Sequence, residues 1–166
     1  MKISNLPLLA VLFVCSTTPF TLKVEASALS EVVREEHFSL KKGLALGGYD
    51  PVAYFQEGPT KGRKTIHTTY KGVVYRFSSE ANLKTFEANP LEYEAQYGGW
   101  CAWAMIDGGR TKPNPESYKI VDGKLYLFYD GLFGDTLAMW NEKLANESED
   151  QLIADADEHW LGQVAP

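Results

Sequence analysis

Thr65-Ile66-His67-Thr68-Thr69-Tyr70-Lys71-Gly72-Val73-Val74-Tyr75-Arg76-Phe77 is the stretch on which the fold class turns. β-Branched and aromatic residues fill both arms, and Lys71-Gly72 between them supplies a turn, so the stretch reads as an antiparallel hairpin. A second hairpin follows. Ser117 to Val121 and Lys124 to Tyr129 flank Asp122-Gly123, a pair that readily takes the positive φ angles of a two-residue turn. Around the hairpins the apolar period becomes helical. Ser78 or Ser79 caps a helix through Ala88 with Leu83 and Phe86 on one face, and Asn89-Pro90 restarts a helix toward Tyr97. Leu137, Trp140 and Leu144, then Leu152, Ala156 and Trp160, mark two tail helices, with Ser148 as the cap between them. Upstream, Gly47-Gly48 close an extended segment and Asp50-Pro51 open a short helix over Val52 to Gln56.

The expected fold is α+β, a small antiparallel sheet built from short hairpins and packed with several short helices in a single domain. A doubly wound parallel sheet is disfavoured, because no glycine-rich phosphate loop follows a strand and the hairpins are too tight for crossovers. No internal repeat or low-complexity linker is legible along the chain. The 166 residues are 45% apolar and 23% charged, which excludes a disordered, collagen-like or coiled-coil chain. A net charge of -6 argues against a nucleic-acid partner, which requires a basic face.

Met1 and Lys2, the apolar run from Leu6 to Cys15, and small residues at Ala26 and Ala28 have the layout of a secretory signal peptide, placed at 1–28. The apolar run is too short to span a bilayer. Cleavage near Ala26 or Ala28 leaves no membrane span, a periplasmic or secreted protein, and a polar lead-in over 29–43. A lipid anchor at Cys15 is the rival reading, but Val14 stands where the lipid-transfer signal wants a small residue. Removing the leader with Lys2, Lys23 and Glu25 makes the chain one unit more acidic and leaves Cys101 as its one cysteine, so no intramolecular disulfide can form.

Gly48-Tyr49-Asp50-Pro51-Val52-Ala53-Tyr54-Phe55 and Tyr70-Lys71-Gly72-Val73-Val74-Tyr75-Arg76-Phe77-Ser78-Ser79 resemble the opening of a YHS domain. Phe86 to Tyr93, Tyr97-Gly98-Gly99-Trp100-Cys101-Ala102-Trp103-Ala104 and Val121 to Leu127 continue the pattern. In order and spacing the chain is similar to the secreted YHS-domain proteins of bacteria from about Leu44 to Trp160, which places a YHS-like domain at 44–162. The resemblance implies a small binding scaffold without a well-established activity. In metal-binding YHS modules the ligands are cysteines, and the matching positions here are Ala53, Ser78 and Asn82. Alanine cannot ligate, and serine and asparagine are poor ligands for soft metals, so a thiolate cluster of that type cannot form.

Cys101 is the remaining site candidate and has two readings. It is either a small buried core residue among Trp100, Ala102, Trp103 and Ala104, or a metal-binding or redox thiol. In a helix Cys101 and Met105 share a face, and in a strand Cys101, Trp103 and Met105 do. Both pair a thiol with a thioether, a soft set suited to copper or another transition metal, and His67 is the histidine best placed to complete it. His37 is expected to be exposed and His159 half-buried beside Trp160. For each histidine the structural role is favoured, since no paired ligand spacing is present.

No nucleophile elbow, zinc-binding helix or phosphate loop is present. The tyrosines and tryptophans are expected mostly in the core with their polar ends satisfied, although a cluster lining a ligand pocket has the same appearance in sequence. Three classes of function remain. The first is a non-enzymatic binding module holding a transition metal or small ligand near Cys101. The second is a structural or interaction module with an envelope protein partner or a Cys101-linked homodimer. The third is a thiol-dependent enzyme, which the apolar neighbours of Cys101 disfavour.

Overall fold

In the computed structural model, which describes residues 34–164, both expected hairpins form. The expected signal peptide at 1–28 and the first residues of the expected lead-in lie outside the described residues. Strand β1 (Arg63–Tyr70) pairs with β2 (Val73–Phe77), and β3 (Asn114–Val121) pairs with β4 (Lys124–Phe128). Lys71 and Asp122 take φ of 46° and 48°, and Gly72 and Gly123 take 82° and 71°, the positive pair a tight hairpin turn requires. A third hairpin, β5 (Asp130–Gly131) with β6 (Gly134–Asp135), was not foreseen. The fold is α+β, with three two-stranded antiparallel sheets in place of one small sheet.

The helices are short and begin where the sequence places caps. Helix α1 (Glu80–Ala88) starts at Ser79, whose hydroxyl accepts the Asn82 N–H, and α2 (Pro90–Tyr93) restarts at proline. The chain then leaves the helix for a 3₁₀ turn at Gln96–Gly99, followed by the single-turn α3 (Ala102–Met105). Asp135 caps α4 (Thr136–Lys143) by accepting from the N–H groups of Leu137 and Ala138. Ser148 precedes α5 (Glu149–Val164), and its hydroxyl accepts the Gln151 N–H.

The structure contains an internal duplication that the sequence reading missed. In both large hairpins an eight-residue strand meets a five-residue strand in the same register, with the same irregularity, 51 positions apart: Arg63 pairs Phe77 and Tyr70 pairs Val73, as Asn114 pairs Phe128 and Val121 pairs Lys124. The preceding 3₁₀ turns match as well. Leu46 and Gly47 at φ 53° and 61° correspond to Tyr97 and Gly98 at 57° and 58°. The Asp50 N–H donates to the Thr60 carbonyl as the Cys101 N–H donates to that of Thr111, and the bridge from Leu44 to Val74 recurs from Ala95 to Leu125. Superposed at this offset, 44–79 and 95–130 share nine residues in 36 positions, among them Gly47/Gly98, Lys61/Lys112, Tyr75/Tyr126 and Phe77/Phe128. The shared residues are mostly turn glycines and inward-facing aromatics, too sparse to register as a repeat by eye.

The two units pack through β4, whose alternate side chains serve opposite cores. Leu125 and Leu127 join the first unit's cluster, where Phe86 of α1 lies between Tyr75 and Phe77 at ring-centroid distances of 4.7 and 5.3 Å. Tyr126 and Phe128 face the second cluster, where Trp140 of α4 stands edge-on to Phe128 at 5.5 Å and α5 closes the layer with Leu152 and Ala156. From residue 34 the lead-in is fastened to this body. Arg34 pairs with Glu94, and Phe38 packs against the first core.

Because β4 belongs to both cores, the units should unfold together. Phe77→Ala and Phe128→Ala are each expected to cost about 3–5 kcal/mol, and urea unfolding of either variant, followed by tryptophan fluorescence and by far-ultraviolet circular dichroism, should give one coincident transition. Two separated transitions would show that the units fold independently.

Candidate functional site

Asp50 is wholly buried and accepts five hydrogen bonds. One carboxylate oxygen takes the N–H groups of Val52 and Ala53 at 2.9 and 3.3 Å, which caps the 3₁₀ turn at Ala53–Phe55. The other takes the Ser78 N–H, the Ser78 hydroxyl and the Asn82 amide, each at 2.7 Å. Ala53, Ser78 and Asn82, the three positions that the resemblance matches with cysteines, therefore converge on one carboxylate. A polar hub occupies the place, and its donors all point at Asp50.

Cys101 stands at the position equivalent to Asp50 and is also fully buried. Its sulfur accepts the Tyr129 N–H at 3.3 Å, as Asp50 accepts that of Ser78, and lies 3.3 Å from the Thr136 hydroxyl. That hydroxyl donates to the Tyr129 carbonyl at 2.8 Å. Its single proton is thereby committed, which leaves the Cys101 thiol as the donor to Thr136. Cys101 is a buried structural residue whose sulfur ties the start of α4 to the end of β4.

The soft-metal set is not assembled. Cys101 and Met105 do lie one turn apart, and both are fully buried. His67, however, sits in β1 beside the inward-facing Ile66, so strand alternation turns its ring out to solvent. The Met105 sulfur takes the Gln163 amide at 3.7 Å instead. Among the described residues no group of three His, Cys, Asp or Glu side chains could hold a metal ion. The sulfur expected to link a homodimer lies in the interior of the folded domain. His37 is half-buried rather than exposed, with its carbonyl accepting the Trp100 indole N–H at 2.6 Å and its ring against Arg110. His159 is exposed, held to the Asp155 carbonyl of its own helix.

A cleft of about 540 Å³ is lined by residues of both units, among them Leu127, the bridge partner of Cys101. Leu127, bridged to Cys101, and Leu46 form a buried floor. Tyr49, Pro113 and Pro115 provide flat walls, and Lys41, Lys61 and Lys112 stand at the rim, all three exposed. The Tyr49 hydroxyl donates to Glu116 at 2.7 Å, and that bond raises the phenol's pKa and keeps it neutral. Gly47 lines the cleft on a backbone of φ +61°, a conformation that favours glycine, and a Cβ there would make only ordinary contacts with Pro115 and Lys41 at 3.5 and 3.9 Å. Sequence reasoning missed this site, since its lining comes from two segments whose equivalent positions lie 51 residues apart. The equivalent pair Lys61 and Lys112, each directly after a threonine, was the available signal.

Comparison of the chain with protein-family models, curated proteins and solved structures finds no match.

Asp50→Ala is expected to lower stability by roughly 3–5 kcal/mol, because it leaves buried donors without an acceptor. Cys101→Ala removes two weak sulfur contacts and should cost less, on the order of 1–2 kcal/mol. Urea midpoints measure both, and the reverse order would remove Asp50 from its place as the hub. In native buffer the Cys101 thiol should react with a thiol reagent only at the rate of global unfolding; labelling at the unfolded-protein rate would place the sulfur at the surface.

Proposed function

We propose that the protein is a secreted or periplasmic YHS-like binding module, without catalytic activity, that holds a small ligand in the cleft between its two units. The observation that carries this reading is the cleft itself, whose volume lies within the ordinary range for small-molecule sites and whose buried apolar floor is edged by a few convergent polar groups. The YHS-like assignment is supported by the order of the motifs and by the convergence of Ala53, Ser78 and Asn82. The secreted or periplasmic location is supported by the leader-like residues 1–28. With its sulfur held between Thr136 and Tyr129, Cys101 serves this site as backbone support and not as a ligand.

A second reading, an interaction module for an envelope protein, is favoured by one feature. Leu132 and Phe133, at the tip between β5 and β6, are 92% and 85% exposed. This hairpin is confined to the second unit, where it adds five residues between strand and helix cap relative to the first. Two adjacent apolar side chains held out on a turn present an anchor of the kind that fits a partner's pocket.

Nuclear magnetic resonance titration with a set of small aromatic fragments, neutral and charged, tests the cleft. Shift changes are expected to concentrate on residues around Leu46, Tyr49, Pro113 and Leu127, and to vanish in Ser39→Trp, whose indole covers the entrance. Perturbation centred on the Leu132-Phe133 tip, or none at the cleft, would overturn the reading. Metal analysis of untagged protein decides the copper alternative. Sub-stoichiometric metal is expected in wild type and Cys101→Ala alike, whereas one copper per chain, lost in the variant, would replace the small-ligand reading with a metal one.

A further inference from the structure

The duplication gives the cleft a chemical character that its outline alone does not. Lys61 and Lys112 occupy the same position in the two units, and both reach the same cavity. They are not lysines placed at random on a surface. Each directly follows a threonine whose carbonyl accepts a buried N–H, Thr60 from Asp50 at 2.8 Å and Thr111 from Cys101 at 3.0 Å, so each backbone is fixed by the hub of its own unit. Lys41 adds a third ammonium from a turn closed by reciprocal hydrogen bonds between Lys41 and Leu44. None of the three forms a salt bridge among the described residues, although the chain as a whole carries a charge of -6. Lys61 lies 5.8 Å from the Tyr49 ring centroid, and the nearby carboxylate of Glu116 is occupied by the Tyr49 hydroxyl.

Three positive charges around one opening in an acidic protein focus the potential there and attract an anion. Size and lining define the rest of the ligand. A cavity of about 540 Å³ lined by Leu46 and Leu127 together with proline and tyrosine faces is far larger than an inorganic ion and has apolar surface for an organic body. We propose that the cleft binds a small organic anion, a carboxylate or phosphate ester with a flat apolar body, the body seated on Leu46 and Leu127 and the charge held among Lys41, Lys61 and Lys112. This deepens the small-ligand reading above and rests on it.

Phenyl phosphate, benzyl alcohol and inorganic phosphate are suitable probes for the full mature chain, followed by nuclear magnetic resonance titration of the cleft residues. Phenyl phosphate should bind more tightly than either of the others. Its affinity should fall about fivefold in Lys61→Ala and again in Lys112→Ala, the loss expected for a partly exposed ion pair. It should be restored in the Lys61→Arg and Lys112→Arg variants and weaken as salt is raised. Neither lysine forms a salt bridge among the described residues, and the one ring contact, Lys61 over Tyr49 at 5.8 Å, is at an exposed lysine, so these variants should melt close to the wild-type temperature.

If benzyl alcohol binds the cleft as well as phenyl phosphate and the lysine variants change nothing, the anion proposal falls while the small-ligand reading stands. If inorganic phosphate matches phenyl phosphate, the apolar body is wrong and the proposal falls. If no probe moves the cleft resonances, both the proposal and the reading beneath it fail.

Discussion

A buried polar side chain at the entrance of each unit joins distant pieces of chain at one point, three at Asp50 and two at Cys101, and the remainder of the structure hangs from that arrangement. In the first unit the Asp50 carboxylate receives the next turn through Val52 and Ala53, the end of β2 through Ser78, and the first turn of α1 through Asn82. A carboxylate without water is tolerable only because both oxygens are supplied with donors. The second unit solves the same problem with less charge. Cys101 takes the equivalent strand N–H from Tyr129 and meets Thr136 at the start of α4, two sulfur contacts in place of five bonds to a carboxylate.

The duplication accounts for the cleft. Two hairpins in one register, each preceded by a left-handed 3₁₀ turn, bring equivalent residues from both units to one opening, with β4 supplying Leu127 to its floor. Leu46 and Tyr97 hold φ of 53° and 57°, where a side chain costs roughly 1–2 kcal/mol. Both are buried, and burial of large apolar side chains offsets that cost. The strained turns deliver Gly48 and Gly99 to the start of each hub.

Local elements were legible because their causes are local. The Lys71-Gly72 and Asp122-Gly123 turns, the Ser79 cap of α1 and the Pro90 restart of α2 depend on residues within a few positions of each other, and each forms at or near the expected place. The candidate site was not legible in the same way. Cys101, Met105 and His67 were grouped by ligand chemistry, but whether a strand residue faces in or out depends on which side meets the core, and His67 faces out. The β5–β6 tip was missed because its apolar pair, Leu132 and Phe133, looks like core in sequence. The duplication was missed because positions that backbone conformation and burial constrain are few, and the positions between them have diverged, Asp50 to Cys101 included.

By itself the sequence determined the α+β class, both large hairpins and their turns, most helix starts, and the absence of a thiolate cluster, since each of these follows from side-chain chemistry and short-range backbone preference. Only the tertiary structure decided that Ala53, Ser78 and Asn82 meet at Asp50, that Cys101 fills the same slot 51 positions later, and that Lys61 and Lys112 share one cleft. Such meetings join residues tens of positions apart. They are set by how two units pack across β4, and no local preference encodes that packing.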